Sequence, residues 1–177
     1  FYHLKDNDRI LDSCMMENGA FLFEGEYSKP TLCALAIPNK NKQQRQFILE
    51  PTIISIDGSA DNLFSAKVSG GEENDLYFSK SFQASKAYVD ENNDLVDSLM
   101  RYKSGSSEYA RFRQKLDSIK NLMLDADLTY VKNNSESFTS VIKLNSIGFS
   151  DMPAMKEGLA FLSKDLKCCG LTCGSRC

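Results

Sequence analysis

The sequence predicts a mainly β fold. An antiparallel β-sandwich is expected over residues 1–150, with a helical insertion at about 92–127 and a cysteine-rich tail over 151–177. Three observations carry this reading. The first 80 or so residues alternate short apolar runs with turn residues, a pattern of antiparallel strands. A stretch after Ser106 changes to a three-to-four-residue period, which marks a helix. Cys168, Cys169, Cys173 and Cys177 then crowd the last ten residues.

Taken in order, Ala20-Phe21-Leu22-Phe23 runs into Ser28-Lys29-Pro30, and Leu32 to Ile37 runs into Pro38-Asn39-Lys40-Asn41. Phe47 to Leu49 and Ile53 to Ile56 lead to Asp57-Gly58-Ser59, Leu63 to Val68 leads to Gly70-Gly71, and Leu76-Tyr77-Phe78 follows. β-branched and aromatic residues bounded by Gly, Pro and Asn read as strands of a sandwich or barrel. Asp94 to Met100 reads as a short helix. Tyr109, Phe112, Leu116, Ile119 and Met123 form the apolar stripe of a longer one, with Ser106 or Ser107 as N-cap. A stripe of that width is expected to pack on the chain's own sheet. Leu128 to Lys132 and Phe138 to Leu144 read as two closing strands. Phe21, Phe23, Leu35, Ile37, Ile54, Ile56, Phe64, Val141 and Leu144 are the expected inward-facing positions.

Composition narrows the function. A net charge of −3 argues against nucleic acid as a partner, and no apolar run has the length of a membrane span, so no membrane insertion is expected. An even count of six cysteines, with a hairpin-sized first interval and a dense terminal group, suits disulfides and an oxidising compartment. The expected location is secreted or extracellular, or else lumenal or periplasmic. Asn133-Asn134-Ser135 is a glycosylation sequon. His3 is the only histidine, so a Ser-His-Asp or Cys-His arrangement has no natural base, and no phosphate-loop, dinucleotide or zinc-protease motif occurs. Glu24 and Glu26 fall on one face of an expected strand, as exposed strand faces commonly carry. No enzyme activity and no cofactor are expected.

Cys14, Gly19-Ala20-Phe21-Leu22-Phe23, Pro30, Leu32-Cys33-Ala34, Ile54-Ser55-Ile56-Asp57 and Asp61 to Gly70 follow one another in an order that resembles the first half of a CUB domain. The closest resemblance is to the amino-terminal half of the corticotropin-releasing factor-binding protein family. Tyr130-Val131-Lys132 and Glu136 to Lys143 are similar to that family's closing strand pair. The likeness covers residues 10–70 and 128–145. It implies a CUB-like sandwich and a disulfide between Cys14 and Cys33, a link worth about 3 kcal/mol by loop closure. The second disulfide usual in CUB domains has no counterpart, since Gly58 and the 87–91 segment carry no cysteine.

The resemblance also implies calcium ligands at Glu26 and Asp61. The third position falls in 133–137, which offers Glu136 and no aspartate, so the set is incomplete and no metal is expected. The four tail cysteines suit a two-disulfide knot better than zinc, which prefers CxxC pairs. The expected function is a secreted, non-catalytic module that binds a peptide or protein. Arg9, Met15 and Met16, beside the first cysteine, are the candidate contacts: Arg9 for a carboxylate or carbonyl, the methionines as adaptable apolar surface. The alternative is a structural or assembly protein joined to its neighbours through the helix and the tail cysteines, which allow an oligomer.

Overall fold

A computed structural model describes residues 2–7, 9–26, 29–38 and 43–166. The chain divides into two compact units, Phe1–Phe78 and Ser79–Cys177, a boundary where the sequence suggested none.

The first unit is built on a four-stranded antiparallel sheet. Its strands are β1 (Tyr2–Asp6), β2 (Arg9–Cys14), β3 (Thr31–Ala36) and β4 (Gln44–Leu49), in the order β2-β1-β3-β4. Alternation decides which face is buried. Tyr2 and Leu4 of β1, Cys33 and Leu35 of β3 and Phe47 of β4 form one core with Leu63 and Ala66. Phe21, Phe23, Ile54, Ile56 and Val68 pack against it. The last three come from a small hairpin, β5 (Ser55–Asp57) with β6 (Lys67–Ser69), and the residue leading into it. The β1–β2 pairing is irregular. Leu4 faces Asp12 but Lys5 faces Ile10, so Leu11 is an extra residue, a β-bulge.

The outer edge of β4 is closed by a short helix, α1 (Glu72–Tyr77). Asn74, 1% exposed, accepts from the Ile48 amide at 2.8 Å and donates to the Ile48 carbonyl at 2.7 Å. Its carboxamide thus stands in for one residue of a fifth strand and blunts the edge. Glu50 caps the same helix, its carboxylate accepting from the amides of Asn74 (3.2 Å) and Glu73 (3.4 Å). Gly71, at φ 90°, makes that approach possible, because a Cβ there would fall 2.0 Å from a Glu50 oxygen.

The second unit is helical: α2 (Val89–Arg101), α3 (Ser107–Asn133), α4 (Phe138–Gly148) and α5 (Met152–Phe161). Local chemistry starts three of them. Ser106, Ser137 and Asp151 each accept from a first-turn amide, of Tyr109, Thr139 and Ala154. The 27-residue α3 carries two stripes. Leu116 and Ile119 pack with Leu95 of α2, while Val131 packs with Val141, Leu144 and Ile147 of α4, Ala154 of α5 and Leu162. Gly158 permits the close α4–α5 approach, since a Cβ would meet Leu144 Cδ2 at 2.2 Å. Lys143, 7% exposed, donates to Asp127 at 2.6 Å and to Ser85 at 3.1 Å, with Nζ 4.5 Å from the Phe82 ring centre. No described helix is long and apolar enough to cross a membrane.

Several expectations are corrected. The protein is not a mainly β, CUB-like sandwich: 49% of the described residues are helical and 20% are strand. The helical region is no insertion at 92–127, because helices run on to Phe161. The expected closing strands lie in α3 and α4, and Leu76–Phe78 lies at α1. Ser106, one of the two expected caps, is the N-cap, and its helix packs on α2. Of the expected core, Leu35 is buried on β3, and Val141 and Leu144 are buried as helix residues. Phe64 is 71% exposed, because 63–65 is a 3-10 turn that directs Leu63 inward instead.

The Cys14–Cys33 disulfide is absent, and both thiols are free. The register explains why. Cys14 faces Tyr2 at one end of β1, while Cys33 lies past the Lys5–Ala34 pair at the other end, with β1 between them. Two strand spacings alone separate them by about 10 Å, beyond the Cα reach of a disulfide. Cys168, Cys169, Cys173 and Cys177 lie outside the described residues.

Candidate functional site

The bulge at Leu11 has a consequence on the sheet's core side. Neighbouring strand residues ordinarily face opposite ways, but Leu11 and Asp12 both line a single groove of about 940 Å³. Leu4 lies beneath it as part of the core, and Phe23 and Leu49 give half-buried apolar walls. Glu24-Gly25-Glu26 forms one bank, and Glu50-Pro51-Thr52-Ile53, following β4, forms another. Ile53 is 86% exposed, a large aliphatic side chain left in water at the groove's margin. The volume lies within the range of pockets that hold small ligands or a few residues of a peptide.

The electrostatics are one-sided. Asp12, Glu24, Glu26 and Glu50 line the groove, and among the described residues no lysine, arginine or histidine does. Glu50 is committed to the α1 amides and to Asn74 Nδ2 (3.2 Å), and one Asp12 oxygen accepts from the Ser13 amide at 2.7 Å. The exposed carboxylates of Glu24 and Glu26 complete an acidic rim over an apolar floor. Such a surface suits a ligand with a cationic group beside an apolar one.

The sequence-derived candidates are scattered. Arg9 is exposed at the start of β2, opposite Asp6. Met15 (65% exposed) and Met16 (39%) follow β2 at the surface, and none of the three lines the groove. Glu26 lines it, whereas Asp61 stands in the turn before Leu63 and is exposed. Among the described residues no three His, Cys, Asp or Glu side chains gather to hold a metal ion. Asn133 is the exposed last residue of α3. His3 is held in β1, where its Nδ1 is 2.7 Å from Ser13 Oγ, a cross-strand contact on the opposite face from Leu4 and Asp12. The Cys33 thiol is pushed up to about 12 by burial and then by the charge of Asp6, which keeps it protonated and unreactive. Sequence reasoning noted Glu24 and Glu26 together but missed Leu11, Asp12 and the 49–53 bank. Those become neighbours only through the bulge and the β4–α1 connection.

A family model described as "Domain of unknown function (DUF4369)" matches residues 1–77. The match ends at the last residue of α1, so it spans the sheet unit and its groove and none of the helices after it. No curated protein and no solved structure was found to match. A likeness to a CUB domain is not among these findings.

Proposed function

We propose that the chain is a non-catalytic binding module, and that its ligand is a cationic, amphipathic peptide segment seated in the sheet unit's groove. The observation that carries this reading is the lining: four carboxylates around apolar side chains, with no basic residue among the described lining residues. The sign of the ligand's charge is therefore opposite to the one that Arg9 suggested. β2, which supplies Leu11 and Asp12, is the end strand of its sheet, so an extended peptide also gains main-chain partners there. A secreted location, proposed with this function, rests on the four tail cysteines, because Cys14 and Cys33 stand apart.

The test is calorimetric titration with short peptides alternating lysine and leucine. Glu24→Gln with Glu26→Gln is expected to weaken binding about fivefold, since exposed pairs are each worth only about 0.2–1 kcal/mol. The loss should shrink at high salt. Equal affinity of the native and doubly substituted proteins at low salt would remove the groove from consideration.

A further inference from the structure

The two units carry opposite net charge. The sheet unit has twelve aspartates and glutamates against seven lysines and arginines, and the helical unit twelve against fourteen. The helical unit's positive charge gathers where α2 turns into α3. Between Met100 and Lys115 stand Arg101, Lys103, Arg111, Arg113 and Lys115, all exposed, with Glu108 as the single carboxylate. Arg113 is 3.2 Å from Asp117, but among the described residues no ion pair holds Arg101 or Lys103. Met100 is 79% exposed and Tyr102 40%. The run Met100-Arg101-Tyr102-Lys103 thus alternates apolar and cationic side chains in open water.

The turn is already shaped for a partner. Tyr102 leaves α2 in an extended conformation, φ −108° and ψ 145°, with its ring stacked on Phe112 at 5.2 Å. The Ser106 amide donates to the Lys103 carbonyl at 3.1 Å, and Ser106 then caps α3. A Cβ at Gly105 would meet nothing within 4 Å, so the tip of the turn is uncrowded. A segment fixed in this way loses little freedom on binding. Its chemistry is what the sheet unit's groove calls for, positive charge beside apolar surface, against the exposed Glu24 and Glu26 and the apolar Phe23 and Leu49. Every copy of the chain presents both halves, groove and turn, at equal concentration.

We propose that the groove's partner is a second copy of this chain, which seats Met100–Lys103 of its α2–α3 turn there. Arg101 and Lys103 meet the acidic rim, and Met100 and Tyr102 meet the apolar walls. This inference rests on the groove's preference for cationic, amphipathic segments and names the segment. Groove and turn are different surfaces, so each contact is heterologous. Association therefore runs on as a chain or closes as a ring of two or more copies.

Sedimentation velocity of the full chain tests it, with reductant present so that the tail thiols cannot cross-link. The native chain is expected to associate as its concentration rises and to disperse at high salt. Two variants separate the surfaces: Glu24→Lys with Glu26→Lys in the groove, and Arg101→Gln with Lys103→Gln in the turn. Each alone is expected to associate at least about fivefold more weakly than the native chain. Mixed, they should form a one-to-one pair and nothing larger, through the native turn of the first and the native groove of the second. A native chain that is monomeric throughout, variants that associate as it does, or a mixture that stays monomeric would each overturn the proposal. The lysine–leucine peptide keeps this apart from the groove's own reading, because the turn variant should bind that peptide as the native chain does. Peptide binding by a chain that never associates rules out the second copy and leaves the groove's preference standing. If neither native chain nor turn variant binds the peptide, the groove reading falls and this inference with it.

Discussion

The two units treat polar groups in opposite ways. Among the described residues, the sheet unit buries one large polar side chain, Asn74, and uses it at an edge, where it satisfies both main-chain groups of Ile48. The carboxylates of Asp12, Glu24, Glu26 and Glu50 line an open groove on it. The helical unit draws polar groups inside: Ser85, Ser137, Thr139, Ser140 and Lys143 are all buried. A sheet leaves strand edges that must be capped, whereas a helix satisfies its own backbone and leaves side chains free to form internal networks. Tyr130 Oη pairs with Thr139 Oγ1 at 2.6 Å, and Lys143 joins Asp127 and Ser85. An open groove with an acidic lining belongs to the first unit, and an internal polar network to the second.

The comparison is most strongly challenged at Leu144, which has no exposed surface and lies against Gly158. Leu144→Ala is expected to lower the unfolding free energy by about 2–5 kcal/mol, measured by chemical denaturation. A loss below about 1 kcal/mol would show that α4 does not pack as described.

Asn74→Ala tests the edge of the sheet unit. It strands the Ile48 amide and carbonyl and should cost about 2–6 kcal/mol, at about 1–3 kcal/mol for each unsatisfied group. Hydrogen exchange at Ile48 should accelerate as well. Unchanged protection there would refute the role assigned to Asn74.

A smaller effect concerns pH. Burial, and then the charge of Asp6, raise the Cys33 thiol from 9.0 to about 12. The folded value lies above the unfolded one, so the stabilisation is whole below about 9 and is lost as pH rises toward about 12. Denaturation at about pH 8 and about pH 10.5 should show the native chain losing more stability than Cys33→Ala. Equal losses would mean that Cys33 does not titrate differently on unfolding.

Legibility in the sequence follows the same division. β3 and β4 can be read because Leu32 to Ile37 and Phe47 to Leu49 are apolar runs bounded by turn residues. Phe138 to Leu144 misleads because Phe, Thr, Val and Ile favour strands locally. The helix shows only when Val141, Leu144 and Ile147 are read as one three-residue spacing behind the Ser137 cap. Phe64 misleads by phase, since a 3-10 turn exchanges its place with Leu63. At the groove, Glu24 and Glu26 are visible as a pair, but a bulge is a property of register and leaves no mark in the residues around Leu11. The Cys14–Cys33 link fails for the same reason, as strand order decides it and spacing does not.

The central claim, that the sheet unit's groove selects positive charge beside apolar surface, is tested most directly by one paired titration. Two extended peptides of equal length, alternating lysine with leucine and glutamate with leucine, are titrated into the full chain by fluorescence anisotropy. The lysine peptide is expected to bind saturably, at least about tenfold tighter than the glutamate peptide, and to perturb Leu11, Asp12 and the 49–53 bank in amide spectra. Equal binding of the two, or tighter binding of the glutamate peptide, would contradict it.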